Sequence, residues 1–159
     1  MNGPAAPAES RASVRLPVLV AGVSEALVLD ADGTVRLSHR AATERARIGP
    51  APLLCHAPSL FRRLGTAAFP AYDILELVAF VRPAQFCLPT VRGIAASLDL
   101  PKPTDLESEA RTLTKAAELL LRELSELDRE AAGEAAGIAR AMTEAAWRWG
   151  DSVLARLNG

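Results

Sequence analysis

Four side chains of this 159-residue chain carry thiol or imidazole groups: His39, Cys55, His56 and Cys87. Histidine and cysteine bind zinc, and a cysteine beside a histidine can act as a nucleophile. Only Cys55 and His56 are close in sequence, and neighbouring side chains on a strand point to opposite faces of a sheet. We therefore expect no metal site, and we expect both thiols to be buried structural groups in a reducing compartment.

Nucleotide chemistry usually needs a glycine-rich phosphate loop that ends in Gly-Lys-Ser or Gly-Lys-Thr. The chain has no such loop, and Lys115 falls within a helical pattern that no glycine-rich loop precedes. We therefore expect this chain to bind neither ATP nor magnesium as a cofactor.

Arginine dominates the basic residues, with 16 Arg against two Lys. Residues 33–93 hold eight arginines and three acids, whereas residues 101–159 hold eight basic and eleven acidic residues. A basic middle segment can attract nucleic acid, and an ordinary solvated surface is the alternative.

The hydrophobic pattern predicts the elements that position these groups. Residues 1–13 lack periodicity and are predicted to be a disordered lead-in. Residues 16–20, 26–30 and 34–38 predict an antiparallel meander, and residues 52–55 form an apolar run typical of a buried strand. A helix over residues 39–47 separates that run from the meander. We therefore expect parallel pairing, and a mixed sheet with helices on its faces.

Further helices are predicted by their caps and by their apolar positions. Ser38 and Thr90 can cap short helices, Pro58 and Gly65 bracket another, and residues 73–81 predict a buried one. Thr104 and Glu107 predict a capping box for a long helix. Its apolar stripe comprises Leu106, Ala110, Leu113, Ala117, Leu120, Leu124 and Leu127.

The C-terminal tail is predicted to be a helical hairpin, broken at residues 128–133, and one continuous helix is the alternative. Asp151 can cap a final turn. We expect a domain over residues 14–127 and a helical extension over residues 128–159. The extension is expected to bury Ala131, Ala135, Ile138, Met142, Ala145 and Trp149 on one face.

The segment from Leu53 to Leu100 resembles the middle of the DnaQ-like (DEDD) 3′–5′ exonucleases, which have an RNase H-like fold. In that family a strand ends in His-Asn, an Asp-Thr-Leu opens a later helix, and a short helix ends in Leu-Gly-Leu. Here His56-Ala57, Asp73-Ile74-Leu75 and residues 97–101 stand at those places. Glu109-Ala110 matches the last motif, where Asp-Ala is usual. The resemblance implies an α/β fold with an RNase H-like mixed sheet.

The catalytic acids of that family are largely missing. Those exonucleases hold two metal ions with four carboxylates, but residues 19–23 of the first strand contain no acid. The second acid falls near Leu60 or Phe61, and the expected histidine is replaced around Thr104. Asp73 matches a position outside the metal cluster, which leaves Glu109 alone. The resemblance thus implies a non-catalytic domain without a metal.

A narrower resemblance covers residues 16–157. The phrase CHAPSLFRRLG…FPAYDILELVAFVRPAQFCLPT is similar to the N-terminal region of bacterial ATP-dependent DNA helicases related to DinG and XPD. In those proteins an exonuclease-like region precedes a motor that holds ATP and magnesium. The resemblance implies a cytoplasmic accessory domain that binds or positions single-stranded DNA for a motor in cis or in trans. The expected phosphate contacts are Arg62, Arg63, Arg82 and Arg92.

Phe69, Tyr72 and Phe86 can stack on bases if they are exposed. For Phe69, Phe80 and Phe86 a position in the core is the alternative, and Tyr72 can instead fix the loop before Asp73.

A protein-interaction module is the alternative function. The stripe over residues 106–127, together with Trp147 and Trp149, can dock a partner or a second copy. An active exonuclease is a third hypothesis. The longest apolar stretch, residues 16–29, is interrupted by Glu25 and is too short to span a bilayer, so no membrane partner is expected.

Overall fold

The computed structural model describes residues 15–159 and shows an α/β fold built on a five-stranded mixed sheet. The predicted lead-in over residues 1–13 lies outside the described residues. The strands are β1 (Val18–Ala21), β2 (Ala26–Asp30), β3 (Gly33–Leu37), β4 (Leu53–Leu54) and β5 (Tyr72–Asp73). The helices of this part of the chain are α1 (His39–Ile48), α2 (Ala57–Leu64), α3 (Ile74–Val81), α4 (Val91–Ser97), α5 (Leu106–Ser125), α6 (Arg129–Glu144) and α7 (Gly150–Leu157). Between residues 15 and 159, no helix is both long enough and apolar enough to cross a membrane.

The strand order is β3-β2-β1-β4-β5. β1, β2 and β3 pair antiparallel, whereas β4 pairs parallel to β1, and β5 pairs parallel to β4. The predicted mixed sheet, a meander plus a parallel strand, is therefore confirmed. The sequence did not predict β5, because two residues are too short to show a period of two.

The alternation of β1 divides the core into two layers. Val18 and Val20 face a buried cluster formed with α3, α4, α5 and α7. Leu19 and Ala21 face the opposite cluster, which α1 and α2 complete. Successive side chains of a strand point to opposite faces, so helices cover both sides of the sheet as predicted.

The N-cap of α5 is Asp105, one residue later than the predicted cap Thr104. A carboxylate oxygen of Asp105 accepts a hydrogen bond from the Ser108 amide at 2.7 Å, and the Asp105 amide donates to the Ser108 hydroxyl at 3.0 Å. This reciprocal pair is the capping box, so the predicted pair of Thr104 and Glu107 is wrong. The two overlapping motifs differ by one residue.

The tail breaks at residues 126–128, so the predicted break at residues 128–133 is confirmed only at Asp128, and residues 129–133 belong to α6. Asp128 caps α6 by accepting a hydrogen bond from the amide of Ala131 at 2.9 Å. The predicted buried face of the extension is confirmed at Trp149 but is wrong at Ile138, which is 57% exposed. α6 instead buries Ala136 and Ala139. α6 ends at Glu144, and Ala146 then adopts a left-handed φ of 66°, which turns the chain into α7. Trp149, rather than Asp151, occupies the cap position of α7. A third helix therefore follows the predicted hairpin.

The tail shares one core with the sheet. Ala139, Trp149 and Val153 lie in the same buried cluster as Val18 and Leu53. The indole of Trp149 also donates a hydrogen bond to the Asp73 carbonyl at 2.8 Å. The helical extension thus packs directly on the parallel strands that position the candidate site.

Candidate functional site

A cleft of about 400 Å³ opens where β1 and β4 end. The chain leaves β1 toward β2 on one side, and it leaves β4 through α2 toward β5 on the other. In open α/β sheets, ligands bind in the crevice at the carboxyl ends of two strands that diverge in this way. Ala21, Cys55 and His56 line this opening, which we call the β1–β4 cleft.

Three helices complete the walls of the β1–β4 cleft. α2 contributes Arg63, the first turn of α4 contributes Arg92, and the first turn of α5 contributes Glu109. Arg63 and Arg92 are both exposed, and Glu109 is partly buried. The fold thus brings together charged residues from three elements that lie up to 46 positions apart in the sequence.

The two arginines of the cleft are held differently. The guanidinium of Arg63 donates a hydrogen bond to the Ala21 carbonyl at 2.9 Å, which fixes it at the end of β1. Within residues 15–159, Arg92 forms no ion pair. Both guanidinium groups retain donors that can bind an anion, since each group carries five N–H donors.

Glu109 is the only acidic residue that lines the cleft. In the part of the chain that the structure describes, its carboxylate has no hydrogen-bond donor and no ion-pair partner. Burial raises the pKa of Glu109, and this effect is opposed by the positive charges of Arg92 and Arg63. A group that is desolvated without a partner disfavours its charged form.

Asp73 does not line the cleft, but it builds one of its walls. Its carboxylate is buried and accepts hydrogen bonds from the amides of His56 at 3.0 Å, Ala57 at 2.7 Å and Leu75 at 3.1 Å. It therefore caps α3 and ties the start of α2 to β5. The sequence signal for this role was an acid directly before an apolar helix.

His56 lies at the rim of the cleft in a left-handed conformation, with φ 56° and ψ 74°. Such a backbone costs about 1–3 kcal/mol for a residue other than glycine and persists only where surrounding contacts hold it. The Asp73 carboxylate supplies that contact through the His56 amide. The turn places β4 and α2 at the angle that brings Arg63 to the cleft.

The structure separates the remaining predicted phosphate contacts from the cleft. Arg62 is exposed on α2 but does not line the cleft. Arg82 forms two hydrogen bonds with the Glu123 carboxylate and donates to the Ser97 carbonyl at 3.1 Å. The hydrogen bond that Arg82 donates to Glu123 raises the pKa of Arg82. Arg82 thus joins α3, α4 and α5 in a structural ion pair.

Three of the predicted aromatic residues pack inside the protein. Phe69 is buried with its ring 4.7 Å from that of Phe61, and the rings of Phe80 and Trp147 are 4.9 Å apart. Tyr72 packs edge-on against Trp149 at 5.0 Å. Tyr72 is therefore partly buried against the core, next to Asp73 and outside the cleft.

Phe86 differs from these rings, because 83% of its surface is exposed. The alternative that placed it in the core is wrong. Phe86 lies in the loop before α4, and Pro89 of the same loop lines the cleft. The loop packs closely against α4. A Cβ atom at Gly93 would lie only 2.4 Å from the Leu88 carbonyl oxygen, so only glycine fits there. Beyond the glycine itself, no pattern in the sequence indicated this contact.

The thiol of Cys55 is a poor nucleophile at neutral pH. Burial, followed by the negative charge of Asp73, raises the pKa of Cys55 to about 12. A cysteine needs its thiolate form to attack a substrate or to bind a metal. Among residues 15–159, no three His, Cys, Asp or Glu side chains are grouped so that they could hold a metal ion.

The apolar stripe of α5 packs into the core of the protein. Ala110, Leu113, Ala117, Leu120 and Leu124 are buried against the sheet and the neighbouring helices. Trp149 is also fully buried, and Trp147 packs against the same cluster. These contacts account for the stripe from Ala110 to Leu124 and for the tryptophans. Leu127, the last residue of the predicted stripe, follows the end of α5 and is 40% exposed.

Comparisons of the chain with protein-family models, with curated proteins and with solved structures find no match. The basis for assigning a function is therefore the β1–β4 cleft. It combines two exposed guanidinium groups, a carboxylate without a partner among residues 15–159, and a strained residue at the divergence of two parallel strands.

Proposed function

We propose that the chain is a non-catalytic RNase H-like domain that binds single-stranded DNA through the β1–β4 cleft. It is of the kind that precedes the motor of DinG- and XPD-related helicases, and it acts in the cytoplasm beside such a motor, in cis or in trans. A meander followed, after a helix, by a parallel strand is the arrangement that the resemblance implies, and it supports the proposal. The observation that carries the function is the convergence of Arg63 and Arg92 at this cleft.

Binding of phosphate is the chemistry that the cleft supports best. A guanidinium presents its donors in a planar fork that matches the oxygens of a phosphate group. A cleft of about 400 Å³ lies within the range of roughly 300–1,000 Å³ that is usual for small-ligand sites. The cleft can therefore hold one nucleotide unit of a longer strand.

The cleft has too few acidic residues to support cleavage of the strand. Two-metal hydrolysis needs acids that clamp both the attacking and the leaving oxygen. Glu109 is the only acid that lines the cleft, and the carboxylate of Asp73 is engaged by three backbone amides. With only one acid available in the cleft, we propose that the domain binds the strand without hydrolysing it. Arg63 and Arg92 provide that binding.

Phe86 favours a single strand over a duplex. Stacking on an aromatic ring requires a base that is free of its own stack, and it is worth about 1–3 kcal/mol per base. Phe86 is exposed on the loop that leads into the cleft through Pro89. A phosphate held by Arg92 can thus be accompanied by a base on Phe86.

Arg62 and Arg63 provide a matched test, because they are neighbours on α2 and only Arg63 lines the cleft. Binding of a fluorescent oligothymidylate is measured by anisotropy over a range of salt concentrations. The R63A/R92A variant is expected to bind about 10- to 100-fold more weakly at low salt. Its salt slope should be smaller by about 1.4, since each phosphate contact on a single strand contributes about 0.7.

The R62A variant removes the same charge from the same helix and is expected to stay within about twofold of the parent protein. An equal loss of affinity in R62A and R63A would show that general surface charge, and not the cleft, binds the strand. Unchanged binding by R63A/R92A would overturn the proposal.

A further inference from the structure

Glu109 is the group of the β1–β4 cleft whose charge opposes an anionic ligand. It is partly buried, and in the described part of the chain its carboxylate has no hydrogen-bond donor or ion-pair partner. Repulsion from the nearby Asp105 carboxylate also raises the pKa of Glu109. The fold therefore places the Glu109 carboxylate beside Arg63 and Arg92, where it forms no hydrogen bond or ion pair with another described residue.

The charges of the cleft can be counted from its lining residues. Arg63 and Arg92 contribute two positive charges and Glu109 one negative charge, which leaves one positive charge. Cys55 adds none, because its raised pKa of about 12 keeps the thiol protonated. The cleft thus carries the charge that one internal phosphodiester neutralises.

A terminal phosphate group fits this balance less well. A phosphomonoester carries a charge of about −1.5 to −2 near pH 7, whereas a phosphodiester carries only one negative charge. The extra charge would lie in the same small cleft as the Glu109 carboxylate. At a separation of a few ångströms in a partly solvated site, that repulsion corresponds to roughly a tenfold change in affinity.

We infer that Glu109 makes the β1–β4 cleft selective for the internal phosphodiesters of a strand over terminal phosphomonoesters. The inference rests on the proposed function, since it assigns a specificity to the same cleft. Arg63 and Arg92 attract both classes of phosphate, and Glu109 discriminates between them. The domain would then engage a strand along its length in preference to a phosphorylated end.

The test uses two ligands that differ by one methyl group and one charge: thymidine 5′-monophosphate and its methyl diester. Binding to the parent protein and to E109Q is followed by chemical shifts of backbone amides, with an oligothymidylate as a third ligand. The parent protein is expected to bind the diester about tenfold more tightly than the monoester. E109Q is expected to lose this preference, chiefly by binding the monoester more tightly.

Several outcomes would overturn the inference while leaving the proposed function intact. One is a parent protein that binds the oligothymidylate and prefers the monoester or binds both ligands equally. Another is a preference that persists unchanged in E109Q. A third is binding of the oligothymidylate with no binding of either mononucleotide at millimolar concentration, because the cleft would then not hold a single phosphate. Failure of all three ligands to bind would instead overturn the proposed function.

Discussion

Asp73 and Glu109 are acids that both stand at motif positions of the exonuclease resemblance, and the fold uses them in opposite ways. The carboxylate of Asp73 is buried and accepts three backbone amides from the starts of α2 and α3. The carboxylate of Glu109 lies in the β1–β4 cleft without a donor among the described residues. Asp73 therefore holds the walls of the cleft, and Glu109 sets its charge.

The difference shows how a structural acid can be distinguished from an acid that is available to a ligand. Backbone amides satisfy Asp73 completely, so its removal should affect folding before it affects binding. Burial raises the pKa of Glu109, so its charge is a cost to the folded protein at neutral pH. Removing that charge should affect binding and leave folding intact.

The largest effect is expected from D73A. Three amides that donate to Asp73 would be left without an acceptor, which should lower the free energy of unfolding by about 3–5 kcal/mol. Urea denaturation measures this change. D73N keeps an acceptor oxygen and should lose less, and E109Q should be at least as stable as the parent protein at pH 7, because it removes a charge that burial disfavours. A loss below about 1 kcal/mol in D73A would contradict the structural role.

R82A tests whether the ion pair with Glu123 is structural. The pair joins α3 to α5, and each side chain is less than one-third exposed. Its loss should lower the free energy of unfolding by about 1–3 kcal/mol, because a partly buried carboxylate loses its partner. Affinity for the oligothymidylate should not change. Reduced binding by a folded R82A protein would place Arg82 in the DNA site after all.

F86A tests the stacking role of the loop before α4. Phe86 is 83% exposed, so its replacement should leave the urea midpoint unchanged. Affinity for the oligothymidylate should fall by about 5- to 10-fold, in line with the loss of one stacked base. F86W retains an aromatic face and should restore binding. An F86A protein that binds as well as the parent protein would remove Phe86 from the site.

The smallest effect is a dependence of binding on pH. Burial raises the pKa of Glu109, so this group becomes neutral at a higher pH than an exposed glutamate does. The groups that face it are Arg63, Arg92, Asp105, Cys55 and His56. Loss of the Glu109 charge makes the cleft more positive, so affinity for the oligothymidylate should rise as the pH falls from 8 to 5.

The control for this pH effect is E109Q, which cannot lose that charge. The parent protein should gain about threefold more affinity over this range than E109Q does. The anisotropy titration measures both. An equal gain in the two proteins would assign the pH dependence to a group other than Glu109.

The local signals of the sequence predicted most of the fold. Ser38, Thr90 and Gly65 end or begin helices through contacts within four residues, and each of these caps is present. Where two local motifs overlapped, as at Thr104 and Asp105, the sequence did not distinguish them. The turn at Ala146 could not be foreseen, because an alanine rarely adopts a left-handed conformation. The amides of Ala146 and Trp147 close this turn by donating hydrogen bonds to the carbonyls of Thr143 and Met142, at 2.9 Å each.

The candidate site was only partly predictable. Arg62 and Arg63 are equivalent in sequence, and their separation depends on the rotation of α2 relative to the sheet. Arg82 pairs with Glu123, which lies 41 residues away and was not among the expected contacts. Glu109 was identified from the resemblance, whereas its lack of a partner is a property of the folded chain. Contacts distant in sequence decide which charges remain available.

The most direct test of the central claim is a map of backbone amide shifts during titration with an oligothymidylate. We predict that the shifts concentrate at the β1–β4 cleft, including Ala21, His56, Arg63, Arg92 and Glu109. Amides of α6, and those around the Arg82–Glu123 pair, should move little. Shifts confined to α6 and α7, or spread evenly over the basic surface, would contradict the assignment of the cleft as the DNA-binding site.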